Sequence, residues 1–460
     1  MSVRVIVLAA GQGTRMKSSL PKVLHPVAGA PLIEWVVEAC RGAGPDETMV
    51  VVGHGAEDVA AALPDGVETV VQEEQRGTGH AVLVALDALG DVEADTVVVV
   101  PGDTPLLTSE TLARLSATHG ERKPAVTLLT TRMPDPAGYG RVVRDDAGEV
   151  VGIVEHRDAD ETQLRIDEVA VSTYAFAGGD LVRALKEVGS SNDQGEMYLT
   201  DVIGILAKEG APIASVDAPA VEVSGVNSHD QLADVGRALR TRLNQRWMRA
   251  GVSMLDPDRV YLEASVELEA GVVLMPDVYL QGKTSVAAGA EVGPSVYASD
   301  SEIRAGARVW YSVLRGAEVG ESAEVGPFAS LRPGTVLGPD TKAGSFVETK
   351  NTTLGRGSKV PHLSYMGDAE IGEDSNIGAG TITCNYDGFE KHTTAIGDRV
   401  RIGSDTMLVA PVTIGDDAWT GAGSTITRDV PEGALGVERS VQKEVADYAA
   451  RRKAKRRSSE

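Results

Sequence analysis

The sequence predicts a two-domain protein, with a helix-covered and mostly parallel sheet in front and a parallel β-helix behind. Length, composition and a change of periodicity along the chain carry that expectation. At 460 residues the chain exceeds what one ordinary core accommodates. Hydrophobic residues make up a normal 42%, but aromatics reach only 4% and there are 51 glycines, which suits an aliphatic core in a glycine-turned repeat.

The first domain is expected over residues 1–227. There the short β-branched runs VRVIVLAAG, TMVVVGH, ETVVQE, TVVVVPGD and PAVTLLTT alternate with helix-like LIEWVVEACRGAG and GHAVLVALDAL. Such alternation builds a mostly parallel sheet with both faces covered. Ligands of these sheets bind at the carboxyl ends of the strands, which marks the loops after Leu8 and Val100. Residues 228–250 read as a connecting helix. Ser228 and Gln231 form a capping box, Leu232, Val235, Leu239, Leu243 and Trp247 keep one stripe, and Gly251 with Pro257 ends it.

From 251 to 440 the grammar changes to a period of six. Val319, Val325, Leu331, Leu337 and Ala343 keep it, as do Leu354, Val360 and Met366, then Ile371 and Ile377. Ile396, Ile402, Leu408, Ile414, Thr420 and Ile426 resume it. A repeated aliphatic position at this period is the mark of a parallel β-helix whose narrow prism leaves little room for rings. Residues 383–395 (TCNYDGFEKHTTA) break the register, and such insertions usually form loops on a functional face. The 441–460 tail, with RRKAKRR, reads as a solvated, disordered end.

Composition also excludes. A net charge of −23 argues against general nucleic-acid or membrane-surface binding. Two cysteines, Cys40 and Cys384, make neither a disulfide framework nor a thiolate zinc site. No apolar run reaches membrane-spanning length and no signal-peptide pattern precedes the first strand, so the expected compartment is the cytoplasm.

In LAAGQGTRM, directly after the first strand, Gly11 and Gly13 let the backbone approach an anion and Arg15 adds a fixed charge. Neither a P-loop nor a dinucleotide fingerprint is present. Lys22, in SLPKVLHPVAG, is a second cation for the same phosphates. Asp103, in VVVVPGDTPLL, suits a Mg²⁺ ligand, and Asn227 can supply a second oxygen. Taken singly, each also fits an ordinary turn or helix-flanking residue.

Together LAAGQGTRM, PKVLHPVAG, QRGTGHAV, PGDTPLL and QGEMYLTD resemble the sugar-phosphate nucleotidyltransferases. With the β-helix behind them, the chain from Val3 to about Gln442 resembles the bacterial bifunctional N-acetylglucosamine-1-phosphate uridyltransferase/glucosamine-1-phosphate acetyltransferase family. The resemblance implies a Rossmann-like nucleotidyltransferase domain, a left-handed β-helix and a homotrimer. It implies acetyl transfer from acetyl-CoA to glucosamine 1-phosphate, then Mg²⁺-dependent uridylyl transfer from UTP to N-acetylglucosamine 1-phosphate, for cell-wall precursor supply. By the same resemblance Leu8, Ala9, Ala10 and Gly11 line the nucleotide, Gln72 reads the uracil, and Gly77 and Thr78 hold it. Arg15 and Lys22 neutralise the triphosphate, Asp103 binds Mg²⁺ with Asn227, Gly102 and Asp103 contact the substrate, and Gly140 and Glu155 contact the sugar. Ala170, Val171 and Ser172 stand where the family has Asn–Ser/Thr–Gly, so Ala170 lacks the family's polar sugar contact.

Acetylating an amine needs a proton acceptor, and His362, in KVPHLSYMGDAEIG, is the candidate general base. A solitary histidine on a solenoid corner is equally consistent with a merely solvated side chain. The segments SLRPG, FVETKN, HLSYMGD, NIGAGTITCNYDG and GSDTMLVAPVT resemble the acetyltransferase half of the family. That implies Glu348 orienting His362, Arg332 and Lys350 on the substrate phosphate, and Tyr365, Asn376 and Lys391 on the sugar. It implies Ala379, Asn385, Tyr386, Ser404, Ala422 and Arg439 on acetyl-CoA. The runner-up is a single-activity sugar-1-phosphate nucleotidyltransferase whose β-helix only assembles or regulates. It predicts no base or phosphate cluster on the solenoid, yet Arg332, Lys350 and His362 are present.

Overall fold

The computed structural model describes residues 2–189 and 195–458; Gln194, the first residue of the QGEMYLTD motif, lies outside them. Two compact units divide the chain, Met1–Leu243 and Asn244–Glu460.

The first unit is built on strands β1 (Val3–Leu8), β2 (Glu47–Val52), β3 (Glu68–Val71), β4 (Thr96–Pro101), β5 (Val126–Arg132), β6 (Arg141–Arg144), β7 (Val150–Val154), β8 (Glu168–Ala177) and β9 (Ile213–Asp217). Their order is β9-β5-β8-β4-β1-β2-β3, with β6 pairing β8 and β7. The pairs β1–β2, β1–β4, β2–β3 and β5–β9 are parallel. The β8 strand, antiparallel between β4 and β5, departs from simple alternation.

The unbroken Val and Ile runs follow from burial on both faces. On β1 and β4, Val5, Val7, Val98 and Val100 pack with Val36, Val37, Leu112 and Leu115 of the helices Leu32–Gly42 and Ser109–Arg122. The intervening Ile6, Val97 and Val99 pack on the other face against Val82, Ala85 and Leu86 of the helix Thr78–Leu89. The carboxyl ends of β1 and β4 are thereby fixed from two sides.

The helix His229–Arg249 is no free connector. Its Val235 and Leu239 join Met16, Val27, Leu32 and Leu106 in a buried cluster of the first unit. Asn244, in the second unit, donates to the carbonyls of Pro257 and Val260 at 2.7 and 2.9 Å. The division between the compact units falls inside the helix: Val235 and Leu239 pack in the first, and Trp247 of the same stripe packs on the core of the second. The capping device also differs: the Gln231 side chain accepts from the backbone N–H of Asn227 at 2.8 Å, one residue before Ser228.

The second unit is a left-handed parallel β-helix. Residues stack coil on coil in parallel register, as in Val260, Val278 and Val296, or Leu262, Leu280 and Ala298. Every residue of the six-period series from Val319 to Ile426 is buried. The interruption forms extra chain between strands Ile382–Cys384 and Thr394–Ile396, closed by a Tyr386–Lys391 bridge. The basic tail, expected to be disordered, carries an exposed helix over Tyr448–Arg457, consistent with the high helix propensity of its Ala, Arg and Lys residues.

Each aliphatic rung of the prism contacts only its own and adjoining coils. Leu314→Ala, at a fully buried rung, is expected to cost about 2–5 kcal/mol. Denaturant unfolding of the intact protein checks it, and an unchanged midpoint would mean that this rung is not close-packed.

Candidate active sites

In the first unit the ends of β1 and β4 open into a cavity of about 610 Å³. Leu8, Ala9, Ala10, Gly11, Arg15, Lys22, Gln72, Gly77, Thr78, Asp103, Gly140, Glu155 and Asn227 all line it. Four of them form one charged cluster. The Lys22 ammonium is paired with Asp103 Oδ2. It also donates to Asn227 Oδ1 at 3.2 Å, and Arg15 donates to the same oxygen at 2.8 Å. Glycine is required at two points of the lining, the first beside Lys22. Gly13 takes φ +62°, and a Cβ there would meet the Lys22 Cβ at 2.5 Å. Gly77 takes φ +104°, where a Cβ would strike the Met197 carbonyl at 2.5 Å.

Around this cluster, Gln72 is buried and its amide nitrogen meets the Gly77 carbonyl at 3.2 Å and the His80 ring at 2.9 Å. Glu155 accepts from the Thr200 hydroxyl at 3.1 Å, and burial raises its pKa above the usual carboxylate range. Gly102, expected to touch substrate, does not line the cavity. It is tucked beneath, its N–H bonded to the Leu8 carbonyl at 2.9 Å and a Cβ there only 2.9 Å from Ile33. These contacts pack β4 closely against β1.

Among the described residues no cluster of three or more His, Cys, Asp or Glu side chains could hold a metal. The donors that do converge, one carboxylate and one amide oxygen beside two cations, fit Mg²⁺ shared with substrate phosphates.

In the second unit the expected residues fall into two groups. One is a row of cations. Arg332 and Lys350 lie on the wall of strands Ser330–Leu331 and Glu348–Leu354, and Lys391 comes from the insertion. The Lys350 side chain, with its like charge, lowers the Lys391 pKa, and Arg332 adds to the effect. Asp368 answers this charge, 3.8 Å from Lys350 Nζ and hydrogen-bonded by Asn351 at 2.8 Å and Asn385 at 2.5 Å. Burial pushes the Asp368 carboxyl up, but these hydrogen bonds and the two lysines hold it below its usual value. Tyr365 pairs with Glu348 on the same wall.

The other group climbs one corner of the prism. The His362 carbonyl accepts from Gly380 N–H at 3.3 Å, that of Ala379 from Asp405 at 2.7 Å, and that of Ser404 from Gly423 at 2.8 Å. Arg439 donates to the Ala422 carbonyl at 2.9 Å. Asn376 precedes this corner on the sheet that carries Lys359–His362, away from the wall of Lys350. Tyr386 is exposed in the insertion. Glu348 pairs with Arg332 at 2.9 Å, and no hydrogen bond or ion pair joins it to His362. Register explains this, since Glu348 stacks on Ser330 and Tyr365 whereas His362 stacks on Ser345, across the prism corner.

Residues 5–167 match the MobA-like NTP transferase domain, and residues 393–428 the hexapeptide repeat of succinyl-transferase. The bifunctional protein GlmU of Streptomyces avermitilis is 51% identical over 98% of this chain and 94% of its own length. That of Heliobacterium modesticaldum is 48% identical over 97% and 98%, and that of Brevibacillus brevis 46% over 99% of both. The chain belongs to the bifunctional GlmU family. It is accordingly a bifunctional transferase of UDP-N-acetylglucosamine synthesis, and the single-activity alternative is not favoured.

Sequence reasoning missed several residues that shape this GlmU-family chain's first cavity. Arg141 is fully buried and donates to the carbonyls of Pro136, at 2.7 Å, and Tyr139, propping the loop that carries Gly138 and Gly140. Tyr139, Thr200, Gln231 and Tyr174 also line the cavity. Thr200 and Tyr174 owe their place to distant chain, through Glu155 and strand β4, whereas Arg141, Tyr139 and Gln231 are held within a few residues of their own loops. Among the described residues no helix is long and apolar enough to cross a membrane.

Proposed function

We propose that the first cavity transfers the uridylyl group of UTP to N-acetylglucosamine 1-phosphate. The convergence of Arg15, Lys22, Asp103 and Asn227 at the strand ends carries this reading. Lys22 and Arg15 offset the triphosphate charge while Asp103 and Asn227 hold Mg²⁺, which supplies further charge neutralisation to the phosphates. A sugar-phosphate oxygen attacks the α-phosphorus, the bond to the bridging oxygen breaks, and pyrophosphate leaves with its electron pair. Positioning and charge suffice, so no protein nucleophile is required. Gln72, Gly77 and Thr78 bound the base end, and Gly140 and Glu155 the sugar end.

On the solenoid, Arg332, Lys350 and Lys391 form the receptor for the phosphate of glucosamine 1-phosphate. His362 takes the proton released as the sugar amine attacks the thioester of acetyl-CoA, the C–S bond breaks, and the CoA thiolate leaves. The corner ladder of Ala379, Ser404, Ala422 and Arg439 is the groove for acetyl-CoA. Both co-substrates are metabolites of the cytoplasm, which is where this reading places the enzyme. Leaving out acetyl-CoA, UTP, glucosamine 1-phosphate or Mg²⁺ in turn tests the pair of reactions. Acetyl transfer should persist without UTP and Mg²⁺, and uridylyl transfer should persist when N-acetylglucosamine 1-phosphate replaces the acetylation substrates.

The working form is a homotrimer with acetyl sites between subunits. An exposed apolar ladder supports it: Tyr311, Phe328 and Phe346 sit 5.7 and 5.2 Å apart, and Leu363, 63% exposed, is adjacent to His362. Apolar rows of this kind usually mark contact surfaces. Mixing inactive His362→Ala and Asn385→Ala chains, then dissociating and reassembling them, should restore part of the acetyl transfer. A monomer by light scattering that keeps full acetyl transfer excludes the arrangement.

A further inference from the structure

We propose that Ser172 hydrogen-bonds the sugar of the uridylyl acceptor and that Tyr174 positions it, an assignment that rests on the first-cavity reading above. Strand β8 does not pass the cavity regularly. Ala170 pairs with Thr130 and Tyr174 with Leu128, so Val171, Ser172 and Thr173 together oppose Leu129 alone. The bulge turns Ala170, Val171, Ser172 and Tyr174 into the cavity lining. Ala170 is tied by its N–H to the Gly140 carbonyl at 2.9 Å, on the wall that also carries Glu155. Ala170 and Val171 bring only methyl groups to that wall, so the polar side chains of the bulge segment at the cavity are Ser172 and Tyr174.

Ser172 is exposed and sits at φ +53°, a conformation that side-chain-bearing residues rarely adopt. Bulges commonly re-aim a side chain beside an active site. Tyr174 is fully buried, and its hydroxyl meets no hydrogen-bond partner of full geometry; the Ser172 side chain is the group that interacts with it. A buried hydroxyl left in this state is expected to find a partner. Ser172 can accept from Tyr174 and direct its own proton at a ring substituent of the sugar, so ligand binding satisfies both hydroxyls in one chain.

Kinetics of uridylyl transfer test this. Ser172→Gly keeps the left-handed backbone and removes only the hydroxymethyl group; Ser172→Ala removes the hydroxyl and keeps Cβ. Both should raise KM for N-acetylglucosamine 1-phosphate by about five- to tenfold, the worth of one hydrogen bond, with kcat and the KM for UTP within about twofold. Tyr174→Phe should raise the same KM in the wild-type background and add nothing on top of Ser172→Gly. A purely conformational role for Ser172 predicts instead that the glycine variant is neutral while the alanine variant suffers. Wild-type turnover with an unchanged sugar-phosphate KM in Ser172→Gly overturns the assignment alone, whereas no wild-type turnover of N-acetylglucosamine 1-phosphate overturns the cavity reading with it.

Discussion

Asp103→Ala is expected to cut Mg²⁺-dependent uridylyl transfer to about a hundredth or less while acetyl transfer stays near wild type. Asp103 is the one carboxylate in its charged cluster, where Lys22 is paired with it and Arg15 reaches the neighbouring Asn227 oxygen. Without the carboxylate, two cations remain around one amide oxygen, and a divalent ion meets repulsion with a single protein ligand. Asp103→Asn should retain the shape and demand much more Mg²⁺ for half-maximal rate. The acetyl residues, from Arg332 to Arg439, all lie in the other unit. Equal loss of both activities in a folded Asp103→Ala protein would sink the two-site picture.

The architecture was legible because each unit writes its burial pattern directly into sequence. Doubly covered strands need unbroken aliphatic runs such as Thr96–Pro101, and a prism needs one aliphatic every sixth residue, as from Val319 to Ile426. The phosphate cluster was legible for a different reason. Arg15 and Lys22 flank a turn where glycine is compulsory, Gly13 lying against the Lys22 side chain. What stayed hidden depends on contacts between distant segments. Gly102 looked like part of the site because of its place next to Asp103, yet Ile33 and Leu8 claim it for packing. The antiparallel course of β8 brings Tyr174 to the cavity, and nothing in its own run of residues announces that direction.

Glu348 teaches the same lesson about pairs. Proximity in a repeat depends on coil register and on which side of a corner a residue falls. Stacked between Ser330 and Tyr365, Glu348 meets the guanidinium of Arg332, two residues along the coil below from Ser330. An ion pair this exposed contributes at most about 1 kcal/mol, so its value lies in holding Arg332 along the row of cations.

His362→Ala is expected to lower acetyl transfer about a hundredfold or more and leave uridylyl transfer unchanged. The imidazole is exposed at the end of strand Lys359–His362, while its carbonyl is held by the Ser364 hydroxyl at 2.7 Å and by Gly380. The backbone is therefore fixed by the coil and the ring is free to meet a substrate, which is what a general base requires. Alanine leaves those backbone bonds intact, so the variant should unfold at the wild-type midpoint and fail in chemistry alone. The acetyl-transfer rate should then rise with pH toward the range where the sugar amine is itself neutral, because no residue removes its proton below that range. Wild-type turnover in His362→Ala would remove the residue from the mechanism. A hundredfold loss with an unchanged pH profile would instead assign His362 to substrate binding, with the proton leaving through another group.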